Sequence, residues 1–335
     1  MSTPELKVIE QPVRPSTSQN LPYVIETENL ELRYGKKFAL KSLSLKIPPG
    51  RIHALVGANG AGKSSLFRIL LGFQSPTGGE ARILGRDCVS LNEHDRARIG
   101  FVNEEHSLPA WLRVEDVVKM QRNLYPQWDQ KVYRSIVGHF NVGEEQRIRE
   151  LSRGERAGVN LAMAMAQKPE LLILDEPTLG LDVVAKRAFL EAVLASVEAT
   201  NCTIIYCSHQ MEEIERLADN LIVMELGELV HMSSPDEFCE RVSLWVAEFP
   251  FQTSGAEFLP GVLQVERIDG LFHFIVLDQD ENFGELLEDK GARCAWQGAV
   301  DLDRAVNAFL TRNHARPLPD NAEPDIAGEN GGDAQ

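Results

Sequence analysis

The sequence predicts an α/β fold on a largely parallel sheet, with a helical subdomain inserted near its middle and a small α+β appendage at its C-terminal end. Three observations carry this. From Val24 to about His231 short apolar runs alternate with helical stretches, the order expected when crossover helices join parallel strands. The runs Arg51-Ile52-His53-Ala54-Leu55-Val56 and Leu171-Leu172-Ile173-Leu174 each end at a loop rich in glycine or acid, as buried strands feeding a binding edge do. Between about Asn103 and Arg149 the alternation breaks into helical segments around Val114–Tyr125 and Gln130–Phe140, separated by Pro126.

The elements follow in order. Residues 1–21 are rich in Pro, Ser, Thr and Gln without periodicity and read as a flexible leader. Residues 22–233 form the α/β domain, with its helical subdomain at about 103–150. Residues 234–312 form the appendage, read as β-β-α-β-α. Its first two strands, Leu263–Ile268 and Leu271–Val276, flank Asp269-Gly270, a pair suited to the positive φ angles of a tight hairpin. Residues 313–335 are Pro, Gly and acid without aromatics, and read as a disordered acidic tail.

Composition bounds the function. The chain has 335 residues, 43% hydrophobic and 25% charged, enough for a packed domain of roughly 200–250 residues and an appendage. Thirty-four Lys and Arg against fifty Asp and Glu give a net charge of -16, which repels nucleic-acid phosphate, so no nucleic-acid partner is expected. No run of eighteen apolar residues is present and the N-terminus lacks a signal-peptide pattern, so the chain is expected neither to span nor to enter a membrane. Five cysteines without CxxC spacing suggest reduced thiols in cytosol rather than a zinc site or a disulfide framework.

Gly57-Ala58-Asn59-Gly60-Ala61-Gly62-Lys63-Ser64-Ser65 follows an apolar strand and opens a helical run to Leu71, matching GxxxxGK[ST] in the context that the pattern requires. Glycines let several backbone N–H groups turn inward, and the helix N-terminus adds positive potential toward a polyphosphate. Lys63 is placed to neutralise β and γ oxygens, and the Ser64 hydroxyl to ligate Mg²⁺. Asp175 and Glu176 close the strand Leu171–Leu174, where carboxylates emerge beside such a loop. Asp175 then holds the metal through a water, and Glu176 accepts or orients the proton of an attacking water.

Leu151-Ser152-Arg153-Gly154-Glu155, between the phosphate loop and Asp175, resembles the LSGGQ signature of ABC ATPases. Ser152 and Glu155 also have the S-x-x-E spacing of a capping box opening a helix through Met165. The resemblance implies a P-loop NTPase ABC cassette: a RecA-like parallel-sheet core, an antiparallel β subdomain and an inserted helical subdomain. It implies ATP and Mg²⁺ as cofactors, and a head-to-tail dimer in which Ser152 and the Gly154 amide meet the γ-phosphate held by the opposite copy. It further implies that Tyr34 stacks on adenine, that Leu179-Gly180-Leu181-Asp182 is the D-loop, and that His209, after Cys207-Ser208, is the switch histidine.

Two departures stand out. Where the family usually has Gln, after Phe101-Val102, this chain has Asn103-Glu104-Glu105, so the metal and water contact falls to Glu104, a carboxylate oxygen in place of an amide oxygen. The signature carries Arg153 and Glu155 where Gly and Gln are usual. The segment Phe101–Asp182, with Tyr125-Pro126-Gln127-Trp128-Asp129, is most similar to exporter-type cassettes of the bacitracin-resistance and YtrB-like group, and the helix Asp301–Val306 resembles their closing helix. By this likeness the chain drives a membrane-spanning permease together with a second cassette, identical or not, at the cytoplasmic face of the membrane. Leu108 and Trp111 are the expected dock for the permease. The competing readings are a soluble ABC ATPase acting on DNA or the ribosome, and a subunit that binds ATP without hydrolysing it.

Overall fold

The computed structural model describes residues 21–250 and 255–312; the leader and tail expectations lie outside these, Leu21 apart. The described residues divide into two compact units between Phe238 and Cys239.

The first unit opens with β1 (Ile25–Tyr34) and β2 (Lys37–Ile47), an antiparallel hairpin closed at Gly35-Lys36. Next come β3 (Ile52–Val56), α1 (Lys63–Leu70), β4 (Gly78–Ile83), β5 (Arg86–Asp87), α2 (Glu93–Ala97) and β6 (Ile99–Asn103). Three helices follow, α3 (Val114–Leu124), α4 (Gln130–Val137) and α5 (Arg153–Ala166). The unit continues through β7 (Leu171–Asp175), α6 (Val183–Thr200), β8 (Thr203–Cys207), α7 (Met211–Leu217), β9 (Asn220–Glu225) and β10 (Glu228–Ser233) into α8 (Pro235–Arg241).

Two sheets result. One is antiparallel, in the order β2-β1-β4-β5; the other has the order β10-β9-β3-β8-β7-β6 and is parallel except for the edge strand β10. The parallel strands are continuous apolar runs because both faces are covered: every residue of β3 and β8 is buried, as are Leu171 to Leu174 of β7. One core cluster joins Tyr133, Phe140 and Phe189 with the buried residues of α5; a second joins Phe67 of α1 with β1, β2 and the opposite sheet face.

Register is what makes a site. Asn103 pairs with Asp175, Asp175 with Cys207, and Leu55 with Cys207. The C-terminal ends of β6, β7, β8 and β3 therefore stand side by side, and the loops starting at Glu104, Glu176, Ser208 and Gly57 leave one edge of the sheet together. Ligands bind at this edge in open α/β sheets.

The second unit contains β11 (Val242–Glu248), β12 (Val262–Ile268), β13 (Leu271–Leu277), α9 (Phe283–Asp289), β14 (Cys294–Gly298) and α10 (Leu302–Thr311). Its antiparallel sheet has the order β12-β13-β11-β14 around Trp245, Phe249, Phe272, Phe274 and Phe283. Asp269 and Gly270 both have positive φ, 50° and 85°, as the hairpin between β12 and β13 requires. The β-β-α-β-α reading omits β11, an inner strand of this sheet. α8 runs into β11 without an intervening residue, so no Gly or Pro separates the two elements.

Candidate functional site

β3 delivers the chain into the loop of Gly57 to Gly62, and α1 starts immediately after it. Gly62 has φ 104°, and a Cβ there would lie 2.5 Å from the Ala39 carbonyl oxygen, so the position admits only glycine. α1 has no side-chain cap and no acid in its first turn. Its first N–H groups and the positive end of its dipole are left to an external anion, which is what a phosphate chain supplies. Lys63 lies in the same turn, its Nζ donating to the Gly57 and Ala58 carbonyl oxygens at 2.5 and 3.3 Å.

A cleft of about 450 Å³ opens above this turn. Asn59 through Ser65 form its floor; Tyr34, Lys37, Phe38 and Ala39 form one wall; Glu104, Asp175 and Glu176 form the other. Gly57 and Ala58 are not among the lining residues; they serve through the carbonyls that hold Lys63. Tyr34 is half-exposed (49%) at the tip of the β1–β2 hairpin. Lys37, Phe38 and Ala39 were not singled out in the sequence, although two aromatics flanking a Gly-Lys turn are a readable sign of a hairpin carrying rings to one place.

Burial, first of all, raises the Asp175 carboxyl above its ordinary range, and Glu176 and Glu104 push it the same way; the Cys207 side chain and Lys63 oppose them. Three carboxylates against two lysines, Lys37 and Lys63, leave the cleft short of positive charge. With the Ser64 hydroxyl, Glu104 and Asp175 offer the hard oxygen donors that suit Mg²⁺. Among the described residues no cluster of three or more His, Cys, Asp or Glu forms a cage for a metal. Mg²⁺ bound beside phosphates needs only one or two carboxylates from the protein, so these residues fit a metal that shares its shell with a nucleotide.

Glu176 follows Asp175 with φ 50°. Its N–H donates to the Cys207 carbonyl oxygen at 2.9 Å, and its Oε2 lies 2.7 Å from His209 Nδ1. His209 is exposed, and Ser208 beside it is buried. Ser208 Oγ, Tyr206 OH, Thr178 Oγ1 and Lys186 Nζ all converge on Glu213, at 2.8, 2.6, 2.7 and 3.1 Å. The Glu213 side chain is fully buried. Nothing in sequence spacing marks it, since its partners come from three separate segments.

Ser152 and Gly154 do not line the cleft of their own chain. Ser152 caps α5: its Oγ accepts from Glu155 N at 3.2 Å while its N–H donates to Glu155 Oε2 at 2.6 Å. Gly154 is buried, and a Cβ there would sit 2.5 Å from Ala185 Cβ, so glycine lets α5 and α6 start in close contact. Asp182 caps α6 through Val184 N and Ala185 N, both at 2.9 Å. Trp111 is 71% exposed, but Leu108 is partly buried and packs against the core that includes α5. Of the two residues expected to form the dock, Trp111 is therefore open to a partner and Leu108 is partly taken up by the core.

The family model described as ABC transporter matches residues 40–179. A Nod factor export ATP-binding protein I of Burkholderia orbicola is 33% identical over 223 residues, covering 64% of this chain and 72% of the relative. The chain belongs to the ABC transporter ATP-binding family. Another relative of this ABC cassette, a spermidine/putrescine import ATP-binding protein of Spiroplasma citri, is 33% identical over 233 residues, 68% of this chain and 66% of its own length. The fold is shared with a solved dimeric post-hydrolysis state of an ATP-binding cassette bound to ADP and Pi, at TM-score 0.56 and 22% identity over 63% of this chain and 98% of that one. The chain is thus an ABC-type ATPase cassette, with the mixed α/β fold that its sequence predicted. Among the described residues no helix is long and apolar enough to cross a membrane.

Proposed function

We propose that this chain is the ATP-binding and ATP-hydrolysing subunit of an ABC transporter, and that it energises a separate membrane-spanning permease at the cytoplasmic face of the membrane. The observation that carries the proposal is one cleft that holds both the uncapped start of α1, with Lys63, and Glu176, whose carboxylate is contacted by His209 from outside the cleft lining. One end of the cleft suits phosphate; the other holds a carboxylate ready to take a proton.

Tyr34 stacks on adenine and the N–H groups of the phosphate loop cradle the phosphates. Lys63 leaves the loop carbonyls for the terminal phosphate oxygens. Ser64, Asp175 and Glu104 hold Mg²⁺, whose chemistry here is to neutralise charge on the phosphate oxygens. Glu176 accepts the proton of the attacking water, and His209 fixes the carboxylate's orientation through the 2.7 Å contact. Ser152 and Gly154 of a second copy close over the γ-phosphate, so that phosphoryl transfer waits for the cassettes to meet.

The direct test is turnover with binding measured beside it. Glu176→Gln is expected to keep Mg-dependent ATP binding and lose about 10²–10⁴-fold in kcat, while Lys63→Ala loses binding. Turnover unchanged in Glu176→Gln contradicts the assignment, and a wild-type chain that binds ATP without turning it over supports the binding-only alternative.

Export is the direction we propose, on the likeness of Phe101–Asp182 to cassettes of the bacitracin-resistance and YtrB-like group. Trp111, exposed at the head of the helical segment, is the proposed anchor for a cytoplasmic helix of the permease. Trp111→Asp should abolish permease-stimulated ATPase activity and leave the basal rate intact; stimulation that persists in the variant places the dock elsewhere.

A further inference from the structure

The two departures from the family pattern, Arg153 and Glu104, meet in the fold. Arg153 Nη2 donates to the backbone carbonyl oxygen of Glu104 at 2.8 Å, across 49 residues of sequence. Its guanidinium also lies against the turn at Gly180, where a Cβ would stand 3.2 Å from Arg153 Cζ. The loop after β6 has a second fastening two residues on. His106 is buried, and its Nε2 lies 2.8 Å from the Pro177 carbonyl oxygen, one residue past Glu176. Glu104 sits between β6 and this buried histidine with its side chain in the cleft.

A carbonyl that accepts from a guanidinium forms a charge-assisted bond, stronger than a neutral one. The planar guanidinium donates to one loop while it stands beside another, a geometry that a compact lysine ammonium does not reproduce. Glycine, usual at this position, would supply neither contact.

We propose that Arg153 is a positioning residue. It fastens the Glu104 loop to the start of α5 within one chain, its guanidinium held beside the Gly180 turn, and so sets where the Glu104 carboxylate stands in the cleft. Arg153 is thereby committed to its own chain and does not reach the γ-phosphate of an opposite copy. The tether itself is independent of what Glu104 binds; its consequence for Mg²⁺ rests on the reading of Glu104 given above.

The test uses the full chain and the variants Arg153→Ala, Arg153→Lys, Glu104→Gln and Arg153→Ala with Glu104→Gln, each with its melting temperature taken as a check on folding. Hydrogen exchange of the nucleotide-free protein reads the tether. Arg153→Ala is expected to speed exchange in residues 103–111 by roughly tenfold, with peptides from α1 and β7 unchanged; Arg153→Lys recovers part of the protection. Unchanged exchange in Arg153→Ala overturns the tether. Titration of Mg²⁺ at fixed ATP reads the consequence. Arg153→Ala and Glu104→Gln are each expected to raise the half-saturating Mg²⁺ concentration several-fold, and the double variant less than the product of the two. Fully multiplicative effects overturn the link through Glu104, and so does a fall in kcat from Arg153→Ala with no change in either exchange or Mg²⁺ dependence. Faster exchange in Arg153→Ala alongside an inert Glu104→Gln removes the metal role of Glu104 and leaves the tether standing.

Discussion

Glu176 occupies the left-handed region, at φ 50°, where a side chain with a Cβ costs roughly 1–2 kcal/mol. The strain is held by its N–H bond to Cys207 and by His209, and it turns the carboxylate out of the strand direction into the cleft. Two other histidines carry a pH signature. His53 and His106 are buried, and burial, offset in part by their bonds to the Pro48 and Pro177 carbonyls, lowers each from 6.5 to about 4. The unfolded chain takes up these protons below about pH 6.5 while the folded protein refuses them until about pH 4, so stability is fully present above that window and falls as pH drops through it. Each histidine contributes a slope of about 1.4 kcal/mol per pH unit within the window. Urea midpoints of the wild type should therefore fall between pH 7 and 5, and His53→Gln should remove about one proton's share of that slope; a slope unchanged in the variant contradicts the assignment.

At the scale of elements, Glu213 joins what the chain keeps apart. Its carboxylate on α7 collects the loop after β7 through Thr178, the end of β8 through Tyr206 and Ser208, and α6 through Lys186. A fully buried carboxylate is tolerable only with such a set of donors. Glu213→Ala strands those donors and should cost about 3–5 kcal/mol in urea unfolding, with loss of turnover because Thr178 and Ser208 flank Glu176 and His209. An effect below about 1 kcal/mol would mean that solvent replaces the carboxylate. The elements that sequence made legible are those whose chemistry is local: the loop Gly57–Ser65, the strand ending at Asp175-Glu176, and the Ser152–Glu155 box, each complete within a few residues. The illegible ones depend on contacts distant in sequence. Glu213 looks like one more acid of α7, Arg153 meets a carbonyl 49 positions away, and β11 was hidden because α8 leads into it without a turn.

At the scale of the molecule, two units with separate cores, a largely aliphatic one in the first and an aromatic one in the second, and a net charge of -16 describe a cassette with an added module. The cleft lies in the first unit, and Ser152 of the same chain does not line it. A cleft that its own chain floors and walls without its own Ser152 or Gly154 is what a site completed by a second copy requires, and the account stands on that sharing. Sedimentation velocity of the Glu176→Gln chain with ATP and Mg²⁺ tests it most directly. The account predicts a dimer that forms only with both ligands and is lost when Ser152→Ala is added. A Glu176→Gln chain that binds Mg-ATP yet sediments as a monomer, or a dimer indifferent to Ser152, would contradict it.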